Sequence, residues 1–238
     1  MVNDTSKPLI FLGASQSIAI YIECCEHVGI QIAGIIDGDY YGNTATIENV
    51  AVIDGHDAFS TPEKIAYYRE NFNFFCAVNW LPVQDSISIR GRKKRQDLIC
   101  LAQQHNLCVV SLVDPRSMIS KSASIGHGCF VGGLCVVEPH AKLEDFSTVW
   151  HNASVAHHSV LGSNSILQRW VGMLGNTRIK DNVYISPYAM LLKDNIIVNS
   201  NAWIQPGILV MRDVAENEIV AINGKNTRRI YTMGSCVI

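Results

Sequence analysis

The sequence has almost no net charge: 19 lysines and arginines stand against 21 aspartates and glutamates, a formal charge of −2 over 238 residues. Proteins that grip a phosphate backbone carry a surplus of positive charge, so nucleic acid is not an expected partner. The basic run Arg90, Arg92, Lys93, Lys94 and Arg95 reads as a solvated helix face rather than a polyanion site. No stretch approaches the roughly 20 consecutive apolar residues of a membrane span. The segment from Leu9 to Ile22 is interrupted by Gly13, Ser15, Gln16 and Ser17, and with Asp4 ahead of it a signal peptide is not expected either. The eight cysteines are scattered and form no CxxC pair, which argues against a disulfide framework and for reduced thiols in a cytoplasmic protein.

The first half alternates apolar runs with helical stretches. Leu9 to Leu12 reads as a strand, Gln16 to His27 as a helix ended by Gly29, and Ile30 to Ile36 as a second strand closing on Asp37. Asn49 to Ile53 follows as a third strand, and Thr61-Pro62-Glu63 opens a helix with a cap and a first-turn proline. Phe72 to Val78 and Leu107 to Leu112 complete five strands, with a helix over Arg92 to His105 between them. The alternation predicts a small Rossmann-like parallel sheet with covering helices over residues 1–111. The turn Gly13, Ala14, Ser15, Gln16, Ser17 lies where small residues let a backbone approach phosphate, and Asp37 lies where a carboxylate can accept a hydroxyl. A tight turn without a ligand explains the same residues. The second and third glycines of a dinucleotide fingerprint are missing, so NAD is not expected.

Residues 112–238 follow another period. Stepping by six from Val113 through Ile119, Ile125, Val131, Val137 and onward to Leu209 meets 17 apolar positions, and a small or slim residue precedes most of them by two. A period of six is neither helical nor that of a plain strand. Each hexad is expected to form one short strand and one bend, burying its apolar side chain only when stacked on its neighbours.

This text resembles the hexapeptide-repeat acyltransferases, and the chain as a whole resembles their sialic acid O-acetyltransferase and nucleotide-aminosugar N-acetyltransferase group. The resemblance implies a left-handed parallel β-helix with three strands and 18 residues per coil, behind an α/β domain. It implies acyl transfer, expected to be acetyl transfer from acetyl-CoA, to an amino or hydroxyl group of a sugar or nucleotide sugar, in a homotrimer whose sites depend on two chains. It also implies that the turn from Gly13 to Ser17 and Asp37 border a nucleotide-sugar site.

Residues 18 apart should stack, which gathers His140, His157 and His158 at one edge with Gly175 and Asn176 above, followed by Lys193 and Asp194. His157 falls at the family's general-base position, where an imidazole takes the proton of the attacking nucleophile. The resemblance is imperfect here. His158 stands where a carboxylate usually orients the ring, Trp150 replaces an asparagine and Trp170 a glycine. Glu138, one coil earlier, is the substitute acid to look for, and Trp150 and Trp170 are candidates to stack on a sugar or acyl chain. Coenzyme A is expected to pass Gly175, where no side chain obstructs the thioester, and to meet cations among Lys193, Arg212 and Lys225. No histidine pair has the five-residue spacing of the hexapeptide-repeat carbonic anhydrases, so no metal is expected. The altered neighbours of His157 also admit a non-catalytic nucleotide-sugar-binding or scaffolding protein on the same frame.

Overall fold

A computed structural model describes residues 7–82, 86–223 and 227–232. The chain divides into two compact units, Met1–Leu112 and Val113–Ile238.

In the first unit the apolar tetrapeptide Leu9–Leu12 forms β1, buried throughout as the inner strand of a parallel sheet should be. Helix α1 spans Ile18–Val28 and ends at Gly29, whose φ of 72° lets its N–H reach back to the carbonyls of Cys25 and Glu26. Strand β2, Ile32–Ile36, and β5, Asn73–Cys76, flank β1 in parallel. Beyond β2 lies β4, Val50–Asp54, which forms a hairpin with β3, Thr46–Ile47. The order β3-β4-β2-β1-β5 makes the gap between β1 and β5 the point where the chain changes direction across the sheet. Thr61 caps helix α2, Pro62–Asn71, by accepting from the Lys64 N–H, with Pro62 in the first turn. Helix α3 covers Ser86–Gln104.

Two expectations shift. Helix α1 starts at Ile18 because Ser17 supplies no side-chain cap and the preceding turn is closed by a bond from Ile18 N–H to Ser15 O. Leu107 to Leu112 is not a full strand. Val109 makes a single bridge to Phe74, and Leu112 already belongs to the first short strand of the repeats, Leu112–Val113.

The second unit is a parallel β-helix of two-residue strands. Val137 pairs with Val155, Leu143 with Leu161 and Val149 with Leu167, so 18 residues make one coil and three strand ladders make its sides. The inward residues from Val131 to Leu191 are buried. Asparagine occupies many of the corners in the left-handed conformation, among them Asn152, Asn164, Asn176 and Asn182, as its short side chain allows.

The six-residue step does not run unbroken to Leu209. After Leu191 the register becomes 19, with Arg178 opposite Ile197, Tyr184 opposite Trp203 and Met190 opposite Leu209. The turn between Leu191 and Asn195 contains one residue more than the turn below it, whose left-handed residue is Asn176. Inward positions are therefore Val198, Ile204 and Val210, all at 0% exposure, while Leu209 is 51% exposed. A closing strand, Glu218–Asn223, joins Trp203–Ile204 in parallel and pairs antiparallel with Thr227–Thr232.

Candidate active site

Stacking brings His140, His157 and His158 to one corner, as their spacing requires. Val155 fills the core and Ala156 is still buried, so the chain turns outward at His157 and His158, which are both exposed. Both sides of the corner are tied down. The His157 N–H donates to Glu138 Oε2 at 2.8 Å, the His158 N–H to Pro139 O at 3.1 Å, and the Asn176 N–H to His157 O at 2.9 Å. Buried Ser159 accepts from the Thr177 N–H at 3.1 Å, locking the next coil to the same corner.

Glu138 thus holds the peptide of His157, not its ring. The imidazole contact is made by His158, with the two Nδ1 atoms 3.2 Å apart. His158 leans on His140, ring centroids 4.8 Å apart. Gly175 lies on the other side of His157. A Cβ built there would come within 2.3 Å of the imidazole Cε1 and 2.5 Å of Nε2. The room that a missing side chain leaves at Gly175 is therefore filled by the His157 ring, which corrects the expectation of an open path for a thioester at that point.

Among the residues expected to meet coenzyme A, Asn176 and Lys193 are exposed, on the coil above His157 and the next one up. Arg212 is committed elsewhere. Its guanidinium spans the carboxylate of buried Glu218, with Nη2 2.6 Å from Oε1 and Nη1 3.2 Å from Oε2. Lys225 lies outside the described residues. A row of apolar side chains escaped the sequence reading. Leu174, Leu192 and Met211 each follow an inward residue at this edge, one per coil, and are 44%, 37% and 62% exposed. Leu174 and Leu192 keep the 18-residue spacing, and the inserted residue sets Met211 off it, 19 residues after Leu192.

Trp150 is 1% exposed, packed against Phe130 and His151 with the Arg169 guanidinium 5.0 Å from its ring centroid. It offers no face for stacking on a sugar. Trp170 is 49% exposed and stacks on Tyr188 at a different corner, the one after Leu167, away from the His157 turn.

In the first unit, Gly13 is demanded by packing. Its φ is 72°, and a Cβ there would come within 2.5 Å of Val78 Cγ2 and 2.7 Å of Leu98 Cδ1. Ala14 is buried, Ser15 Oγ donates to Ala77 O at 2.8 Å, Gln16 is exposed and Ser17 half-buried. Asp37 is not available to a ligand hydroxyl. Its side chain is fully buried, accepting from Ala14 N–H at 2.7 Å, Asp39 N–H at 2.9 Å and the Lys94 ammonium at 2.7 and 2.8 Å. Lys94 also binds Asp39, whose side chain is 66% exposed and whose carboxyl that hydrogen bond holds below its ordinary value. Arg95 is buried as well, donating to Val78 O at 2.7 Å. The basic run is thus only partly a solvated face: Lys94 and Arg95 brace the ends of β2 and β5. A carboxylate three residues beyond a strand end, together with a lysine on a helix, leaves no periodic trace by which Asp39 and Lys94 could have been found.

The sequence matches no protein-family model and no curated protein. Solved structures do match over nearly the whole chain. One is a histidine-to-alanine mutant of GDP-perosamine N-acetyl transferase from Caulobacter crescentus in complex with CoA and GDP-perosamine, with a TM-score of 0.77 and 18% identity over 94% of this chain and 96% of that one. Another is the acetyltransferase domain of PglB from Neisseria gonorrhoeae, with a TM-score of 0.77 and 20% identity over 94% and 100%. A third is WeeI from Acinetobacter baumannii, with a TM-score of 0.73 and 18% identity over the same shares. The fold is therefore the one the resemblance implied, an α/β domain followed by a left-handed parallel β-helix.

Proposed function

We propose that the protein transfers an acyl group, acetyl in the first instance, from acyl-CoA to an amino or hydroxyl group of a nucleotide-linked sugar. The observation that carries this reading is His157: an exposed imidazole on a braced corner, at the coil position of the base in the enzymes the sequence resembles. Neighbours of the same fold carry CoA together with GDP-perosamine, and acetyl coenzyme A.

In this reading His157 Nε2 takes a proton from the acceptor nitrogen or oxygen as that atom attacks the thioester carbonyl. A bond forms between the acceptor and the acyl carbon, the carbon–sulfur bond breaks, and the leaving thiolate recovers the proton from the imidazolium. Because the ring fills the space at Gly175, the thioester approaches from the open side of the imidazole. Leu174, Leu192 and Met211 give the pantetheine an apolar wall. The first unit takes the nucleotide at the gap between β1 and β5, with Asp39 rather than Asp37 as the carboxylate within a ligand's reach. We further propose a homotrimer, since one sheet of the β-helix is apolar on its outer side, and a cytoplasmic setting, in keeping with the free thiols of the seven described cysteines.

Incubation with acetyl-CoA and a panel of UDP-, GDP-, dTDP- and CMP-sugars, read by mass spectrometry, tests the reading. An acetylated sugar is the expected result. Nucleotide sugar bound without any transfer would favour a binding or scaffolding role.

A further inference from the structure

We infer that His158 is the positioning residue for His157, in place of a carboxylate, and that the link between the two imidazoles makes the base active only while His158 is unprotonated. The inference rests on the acyl-transfer reading above. The two rings stand nearly perpendicular, at 82°, with centroids 5.4 Å apart and Nδ1 facing Nδ1 at 3.2 Å. His158 occupies the left-handed corner position, φ 56°, that asparagine fills at residues 152, 164 and 176. Histidine, like asparagine and aspartate, is enriched in that conformation. Here it aims the His158 ring across the corner at its neighbour, and His140, in the same conformation one coil earlier, stacks beneath it.

A nitrogen-to-nitrogen hydrogen bond needs one N–H and one lone pair. For His157 to accept a proton at Nε2, its own hydrogen must sit on Nδ1, so His157 donates and His158 accepts. On proton uptake the His157 Nδ1–H stays in place and the neutral His158 ring stabilises the cation. Protonating His158 puts a hydrogen on both Nδ1 atoms or drives the His157 hydrogen to Nε2, and either outcome removes the base. The turns packed against the pair present Glu138 and His140 below and uncharged Gly175 and Asn176 above, with Lys193 and Asp194 one coil further. Glu138 is bound to the His157 peptide N–H, which leaves His158 as the ring's acceptor.

Protonation of either ring silences the site, so the acid limb of log kcat/KM against pH should begin at a slope of 1 and steepen toward a limiting slope of 2 as the pair takes up its second proton. His158→Asn supplies a non-titrating acceptor on a residue suited to that corner and should return the slope to 1. His158→Asp should do the same. His158→Ala should lower kcat by roughly 10- to 100-fold with little change in KM, as for other partners that hold a reactive imidazole. A second readout needs no substrate. Diethyl pyrocarbonate reacts with unprotonated imidazole nitrogen, and its rate at His157, measured by peptide mapping of the full chain across pH, should show the same two-proton limb in wild type and a one-proton limb in His158→Asn. A one-proton limb in wild type, or the same His157 rate and profile in wild type, His158→Asn and His158→Ala, overturns the inference. Absence of acyl transfer alongside a two-proton limb would instead overturn the proposed function and leave the pairing standing.

Discussion

At the residue scale the corner makes two sharp demands. General-base assistance is typically worth about 10²–10⁴-fold, so His157→Ala should lower kcat by that order while acetyl-CoA still binds, as isothermal titration would show. Gly175→Ala places a methyl within 2.3 Å of the imidazole, against which the ring cannot stay where it is. It should therefore lower kcat in wild type yet cost nothing further in the His157→Ala background, a double-mutant cycle that separates ring displacement from general damage. The cysteines make the opposite demand, for inertness. Burial pushes the Cys25 thiol up to about 12 and the Cys135 thiol up to about 11, so at neutral pH neither supplies the thiolate that alkylation needs. Iodoacetamide on the native protein should label exposed Cys100 and Cys108 and spare Cys25 and Cys135, as mass spectrometry would report.

At the scale of elements, Asp37 ties three segments together: the turn after β1 through Ala14, the turn after β2 through Asp39, and α3 through Lys94. An asparagine there keeps the size but presents an amide donor to partners that are themselves donors. Breaking a buried charge pair costs about 3–5 kcal/mol, so Asp37→Asn should lower the thermal midpoint of the first unit by several degrees, read by calorimetry, whereas Asp39→Asn should change it little. Position alone made Asp37 visible in the sequence. Its role was not, because the partners come from 23 and 57 residues away. The β-helix was legible for the converse reason, since a coil contacts only the coil before and after it and its whole pattern is printed locally. The inserted residue near Lys193 escaped because Ile197, Trp203 and Leu209 happen to be apolar in the old phase while Val198, Ile204 and Val210 are apolar in the new one. Hydropathy cannot choose between two apolar phases; only strand register does. At the candidate site, spacing alone gathered the three histidines, but which of them meets the ring of His157 depends on corner geometry that periodicity does not encode.

At the scale of the whole molecule, the sides of the β-helix differ in chemistry. One presents Met118, Val136, Ser154, Gly172, Met190 and Leu209 outward, and the next presents Ser124, Lys142, Val160, Arg178 and Ile197. Met118, 72% exposed at one end of this side, and Leu209, 51% exposed at the other, are joined by half-buried Val136 and Met190 into a side that is apolar except at Ser154, and exposed apolar surface of this kind marks association. A homomeric ring closes when each copy offers one surface to a different surface of the next, and the apolar side borders the corner that carries His157, so a neighbouring copy seated there would wall the site. Desolvating a glutamate against apolar side chains costs several kcal/mol. If the protein is the proposed trimer, the wild type should sediment as one at micromolar concentration and the double variant Met190→Glu, Leu209→Glu as a monomer. Its circular dichroism should stay unchanged, because both side chains point away from the core. Acyl transfer should fall with the loss of the trimer and return at higher protein concentration as copies reassociate. A variant that stays trimeric would place the interface on another side of the β-helix, and a monomeric wild type with full activity would show that each chain carries a complete site of its own.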